Sequence, residues 1–270
     1  MLTKEEFIAK AHDIFAGCSR NRVSVPGSGE LMLFDQPLIG FASAIDPIFD
    51  QYMSPEIIGS MFKPPREWLP EGRTVVSFFL PHTREVRISN REEKDYPSMP
   101  WLYGRYEGQN FIGHYMKTLS RVLEEEGIKT CVPWMDDRFE KEPMPVSGDD
   151  GDDFHMNSSW SERHVAYACG LGTFGLSRGL ITEAGMAGRL TSMILSVEYK
   201  PDIRPYTEVY EYCIGCGACA RRCPAQAISL NYGKNNVKCN AFLDRVKEQE
   251  APRYGCGKCQ IGVPCEYRRP

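Results

Sequence analysis

Hydrophobic positions along the chain fall into a few periodic runs separated by proline- and glycine-rich stretches, and the runs predict the regular elements. Thr3-Lys-Glu-Glu reads as an N-cap with acids in the first turn, opening a helix that runs to about Ala16. Residues 24–70 are broken by Pro26, Pro37, Pro47, Pro55, Pro64, Pro65 and Pro70, and Leu38-Ile-Gly-Phe-Ala reads as a short strand inside them. An irregular stretch of that kind usually lines a site or covers a face. Thr74 to Leu80 is β-branched and aromatic, and its near-continuous apolarity predicts a strand covered on both faces. Ile112, Met116, Leu119 and Leu123 share one face of a helix from about Asn110 to Glu126, which Gly127 stops. Lys129 to Pro133 and Leu190 to Val197 read as strands, and Trp160 to Ala168 as a helix. Such alternation predicts an α/β or α+β layer structure.

Two stretches invite a motif reading and lose it. Eight acids lie between Asp136 and Asp153, among Pro143, Pro145, Gly148 and Gly151. Their spacing is not that of a calcium loop, so the stretch reads as an exposed, solvated loop. Gly170-Leu-Gly172-Thr-Phe-Gly175 matches G-x-G-x-x-G, but it ends a helix and precedes a strand. A dinucleotide fingerprint needs the reverse order, so Gly170 and Gly172 serve better as a C-cap and a close-approach turn.

The cysteines change the picture most. Eight of the eleven lie between Cys213 and Cys265. Cys213, Cys216, Cys219 and Cys223-Pro224 form C-x2-C-x2-C-x3-C-P, a spacing that turns three thiolates toward one cubane and carries the fourth away. Gly215 and Gly217 relieve the tight loop. Cys239, Cys256, Cys259 and Cys265 follow at irregular intervals. Eight thiolates suit two [4Fe–4S] clusters, and the fourth cysteine of such a run ligates the other cluster. That rule assigns Cys213, Cys216, Cys219 and Cys265 to one cluster, and Cys223, Cys239, Cys256 and Cys259 to the other. Two all-thiolate zinc sites or a disulfide framework would also use eight cysteines, but C-x2-C-x2-C ending in C-P is more typical of iron–sulfur ligation. Cys18, Cys131 and Cys169 stand outside the runs and are expected to be dispensable.

Composition adds limits. At 42% hydrophobic and 25% charged over 270 residues, the chain is an ordinary globular one. No apolar run approaches the roughly 20 residues of a membrane span. A net charge of −4 gives no electrostatic case for a nucleic-acid partner. Met1-Leu-Thr-Lys-Glu-Glu lacks the apolar region of a signal peptide, which predicts a reducing, cytoplasmic location.

Glu162-Arg163-His164-Val-Ala-Tyr-Ala-Cys-Gly170-Leu-Gly172-Thr-Phe-Gly175, Gly185 to Val197 and the cysteine runs together resemble epoxyqueuosine reductase and its relatives, the corrinoid-dependent reductive dehalogenases. The resemblance implies an α+β fold: a nitroreductase-like core over residues 1–205 that can bind cobalamin, then a ferredoxin-like module with two clusters over 206–270. It implies electrons passing from a ferredoxin- or flavodoxin-type donor through the clusters to cobalt and a small-molecule substrate. The alternative is an electron-transfer protein that lacks a corrinoid and reduces a partner protein. The family's catalytic aspartate falls at Met156, and its helical-repeat domain would lie beyond Pro270, so tRNA is not the expected substrate. His155, beside the vacant aspartate position, and Tyr103 are then the candidate catalytic groups. Tyr106, Glu162, Arg163, His164, Gly170, Gly172 and Gly175 are the implied corrinoid contacts. Against those roles, both tyrosines can simply pack, and Glu162 with Arg163 can form a structural ion pair. None of the histidines sits in the D-x-H-x-x-G pattern of a protein ligand to cobalt.

Overall fold

The computed structural model describes residues 2–148 and 151–270, and the side chains at 146–148, 151, 152 and 155 lie outside that description. Helix α1 (Lys4–Gly17) begins at Thr3, which closes a capping box with Glu6 as its acids predicted. A hairpin of β1 (Arg22–Val25) and β2 (Gly29–Met32) leads to β3 (Leu38–Ser43). The proline-rich stretch supports only single turns, α2 (Ile48–Gln51) and α3 (Pro65–Trp68), before β4 (Thr74–Pro81), α4 (Arg84–Glu92) and α5 (Met99–Glu125). Then come β5 (Thr130–Cys131), β6 (Lys141–Gly148), β7 (Gly151–Ser158), α6 (Glu162–Ala168), β8 (Gly172–Phe174), β9 (Leu180–Thr182) and β10 (Gly188–Leu195). The cysteine-rich end carries α7 (Ala218–Arg221), β11 (Ile228–Ser229), β12 (Gly233–Lys234) and α8 (Asn236–Glu250).

A four-stranded antiparallel sheet in the order β3-β4-β10-β5 forms the middle layer. Strand β4 is covered on both faces, as its apolarity predicted. Alternate residues face opposite ways. Val76, Phe78 and Leu80 join a core with Phe7 of α1 and Tyr115 and Met116 of α5, while Val75 packs with Phe49, Phe62 and Trp160 on the other side.

Three expectations need correction. Helix α5 starts at Met99 rather than near Asn110, because Ser98 caps it by accepting from the Trp101 amide and Pro100 fits its first turn. Gly104 and Gly108 obscure this half in the sequence, yet both are there for packing: a Cβ at either would stand 2.7 Å from His82 or Phe34. Strand β5 is shorter than expected, since Pro133 opens a 3-10 turn. The acidic stretch is not all loop: Lys141–Gly148 pairs antiparallel with Gly151–Ser158, and Pro143 and Pro145 are tolerated because a two-stranded ribbon is all edge. Within that stretch Asp149 and Asp150 lie outside the described residues.

The glycine turn after α6 closes as expected of a C-cap. Gly170, at φ +81°, donates to the Tyr167 carbonyl while Leu171 donates to Ala166, the double bond of a Schellman motif. The cysteine-rich end is clamped to α4. Buried Lys258 donates to the carbonyls of Asn90 and Glu93, each at 2.7 Å. Buried Glu266 accepts from Arg87 at 3.0 Å and Arg91 at 2.6 Å.

Candidate functional site

Two cavities divide the eight clustered cysteines between them. Cys213, Cys216, Cys219 and Cys265 line an outer cavity of about 390 Å³ counted to its mouth, walled by Gly175, Met186 and Val263. Gly215 and Gly217 hold φ near +65° and let the loop curl around it. Cys216 is exposed, and the Cys265 sulfur lies 3.3 Å from that of Met186. Cys223, Cys239, Cys256 and Cys259 line a larger, inner recess of about 960 Å³, also counted to its mouth. Among the described residues no three His, Cys, Asp or Glu side chains converge on a point that would hold one ion. The four cysteines of each set line one cavity instead.

Burial raises the thiols. It pushes Cys219 up to about 11 and Cys256 and Cys265 up to about 12, with neighbouring sulfurs adding to the effect. Thiols raised in this way give up their protons when a positively charged group takes them as thiolates. All-sulfur donor sets of four around a space fit an iron–sulfur cubane.

The far wall of the inner recess comes from the sheet and α5. Pro81 pairs with Gly188 across β4 and β10, so His82 and Arg189 emerge side by side. One turn of α5 places Trp101 and Arg105 on the same wall, and the start of α6 adds Arg163. Trp101 lies flat over Gly257, where any Cβ would overlap the indole. Burial depresses Arg189 to about 9, and the nearby guanidinium of Arg105 pushes the same way. Burial also holds His82 down to about 3, so it is a neutral imidazole at neutral pH. Arg163 is exposed to the recess that it lines.

Of the candidate residues named from the sequence, Arg163 lines the inner recess and Gly175 the outer cavity. The others stand elsewhere. Glu162 turns into the core, where its Oε2 accepts from Ser192 at 2.6 Å, its Oε1 has no partner, and burial raises the carboxyl to about 7. It makes no ion pair with Arg163 among the described residues. His164 is held by Ser161 at 2.7 Å and packs on Tyr52 and Phe174, with burial lowering it to about 4. Tyr103 lies buried under the Arg253 guanidinium at 3.8 Å, and Tyr106 is half-buried on the next turn of α5. His155 pairs with Met144 in the β6–β7 ribbon, and its side chain lies outside the described residues. His82, Trp101, Arg105, Arg189 and Lys258 had no sequence pattern to mark them, although Lys258 stands inside Cys256-Gly-Lys-Cys259.

The inner recess, about 960 Å³ counted to its mouth, has the size of a small-molecule site, and the cysteine-bound group shares it. The turn expected to approach the corrin macrocycle faces inward: a Cβ at Gly172 would overlap the Ile181 carbonyl, and one at Gly170 would stand 3.1 Å from the Ile203 oxygen.

Residues 206–229, which include Cys213 to Cys223, match the model of the 4Fe-4S binding domain. An epoxyqueuosine reductase from Staphylococcus aureus is 31% identical over 114 residues, covering 38% of this chain and 29% of that protein. A crystal structure of epoxyqueuosine reductase with an epoxyqueuosine-modified tRNA stem loop superposes with a TM-score of 0.55 at 20% identity, over 97% of this chain and 65% of that one. The fold is that of the epoxyqueuosine reductases and reductive dehalogenases. A reductive dehalogenase structure described in terms of B12-dependent dehalogenation matches at a TM-score of 0.51 and 15% identity, over 95% of this chain and 36% of that one. The resemblance read from Glu162 to Gly175 and from the cysteine runs is therefore borne out. The chain spans under a third of the curated epoxyqueuosine reductase it matches, and about two thirds of the solved one. No helix among the described residues is long and apolar enough to cross a membrane.

Proposed function

We propose that the chain is an iron–sulfur reductase with two [4Fe–4S] clusters in a ferredoxin-like module, residues 206–270, set against a nitroreductase-like core, residues 1–205. Cys213, Cys216, Cys219 and Cys265 would hold the outer cluster, and Cys223, Cys239, Cys256 and Cys259 the inner one. The observation that carries this reading is the division of the eight sulfurs between two cavities in the crossed pattern of two-cluster ferredoxins. When bound, each cluster supplies one-electron transfer at low potential. The exposed Cys216 loop is the side open to a ferredoxin- or flavodoxin-type donor in the cytoplasm. The inner recess, walled by arginines, then holds the acceptor. Its size favours a small molecule over a partner protein.

Two inherited roles fit less well. A corrinoid relay, which the fold likeness suggests, lacks the close-approach turn expected for it, since Gly170 and Gly172 face into the protein. For tRNA, the family's aspartate position is occupied by Met156, an exposed residue of β7, and the net charge is −4. Purification without oxygen is expected to give about eight iron and about eight acid-labile sulfide per chain, with cobalt at background after incubation with hydroxocobalamin. Zinc in place of iron, or half that iron, would sink the two-cluster reading, and stoichiometric cobalt would restore the corrinoid.

A further inference from the structure

The inner recess carries more positive charge than its cysteines account for. Its wall holds Arg105, Arg163, Arg189, Lys234 and Lys258, and among its described lining residues there is no aspartate or glutamate. Three of these cations face sulfur. Arg163 lies in the field of Cys259 and Cys239, Lys234 in that of Cys259, and Lys258 in that of Cys256. Four thiolates more than cancel the charge of the cubane they hold, so those three cations have a partner once a cluster is in place.

Arg105 and Arg189 do not. Arg105 donates to the neutral Tyr254 hydroxyl at 2.8 Å, and Arg189 to the neutral Gln109 side chain. Among the described residues neither forms an ion pair, and the Arg189 Nε is buried with no hydrogen-bond partner. Arg189 feels Arg105 and Arg163 as like charges, and against them the field of Glu162, a carboxyl that burial raises to about 7 and so leaves a partial counter-charge. Both guanidiniums are half-buried and face the recess without a paired carboxylate, so a counter-charge is expected between them. Guanidinium forks match the geometry of carboxylate and phosphate oxygens. Trp101 and the neutral His82 make the adjoining wall aromatic, their rings tilted by 50° to each other.

We propose that the inner recess binds a small organic oxyanion, a carboxylate or a phosphate monoester, held by Arg105 and Arg189 in front of the Cys256 and Cys259 sulfurs. Its use as an electron acceptor rests on the redox reading above, whereas its binding does not. The test is anaerobic calorimetric titration of the cluster-loaded protein with benzoate and, separately, with inorganic phosphate. At least one is expected to bind with a Kd below about 1 mM. Arg105→Gln and Arg189→Gln should each weaken that binding about tenfold or more, as loss of a charge-assisted hydrogen bond does. Arg73→Gln, at a surface ion pair with Glu198, should leave it unchanged. Circular dichroism and iron content verify that the variants are folded and loaded, and two arginine positions guard against one failing to fold. Binding of benzoate alone marks a carboxylate ligand, and binding of phosphate alone marks a phosphate ester. Absence of binding by either probe up to about 10 mM, or equal affinity in wild type and both folded variants, overturns the proposal. Full clusters without anion binding would refute this inference alone, and anion binding without iron would refute the redox reading alone.

Discussion

The two cysteine cavities use the same donor chemistry in opposite surroundings. The outer one is curled from a glycine loop, opens at exposed Cys216, and is walled by Met186, Val263 and Pro264. The inner one is larger and lined on its far side by Trp101, His82 and three arginines. A loop cavity with an exposed cysteine suits exchange with another protein, and a larger recess walled by cations suits a bound small molecule. The difference teaches that sulfur spacing specifies what is held, while the opposing wall specifies what the held group can meet.

The strongest way to break this comparison is to remove one inner ligand. Cys256→Ser is expected to lose about half of the iron while the paramagnetic signal of the outer cluster survives. Loss of the outer signal with retention of the inner one would reverse the assignment of ligands. A gentler break uses the packing of Trp101 on Gly257, which sits at φ +67°. Gly257→Ala forces both a strained backbone and a displaced indole, and should cost about 1–3 kcal/mol in chemical unfolding. Gly215→Ala, at φ +63° with nothing near its Cβ position, should cost less. Equal costs at the two glycines would remove the distinction between a packed inner wall and an open outer loop.

Acid should sharpen the contrast further. His82, on the inner wall, is held at about 3 by burial, against about 6.5 for a free imidazole. A depressed histidine contributes stability that is complete above the unfolded value and is lost as pH falls toward the folded one. Between pH 6.5 and 5 the expected loss is about 2 kcal/mol from this residue, visible as a falling unfolding midpoint. His82→Asn should flatten that slope, and an unchanged slope would show that His82 is not the titrating group. The smallest effect is expected away from both cavities. Cys18→Ser, Cys131→Ser and Cys169→Ser should leave the iron count unchanged, since none lines either cavity, and a fall in iron for any of them would add an unrecognised ligand.

Legibility followed range along the chain. Features set by neighbours a few residues apart could be read directly: the Thr3 capping box, the buried β4 strand, the Gly170 cap and the cysteine spacings. Their physics is local, because a cap needs its third residue, a strand its alternation, and a cubane loop its short x2 gaps. The start of α5 was hidden because Gly104 and Gly108 weaken helix propensity, and their reason, close contact with His82 and Phe34, lies across the fold. The β6–β7 ribbon was hidden because its prolines and acids read as loop until a partner strand is paired with them. By itself, then, the sequence determined that eight cysteines have cluster spacing and that helices flank a buried sheet. The spacing rule also divided the eight into the two sets that line the two cavities, whereas only the tertiary structure decided that His82, Arg105, Arg163 and Arg189 stand opposite the inner four. Those side chains are brought together by the pairing of β4 with β10 and the seating of α5 and α6, and no local pattern encodes a meeting across more than a hundred residues.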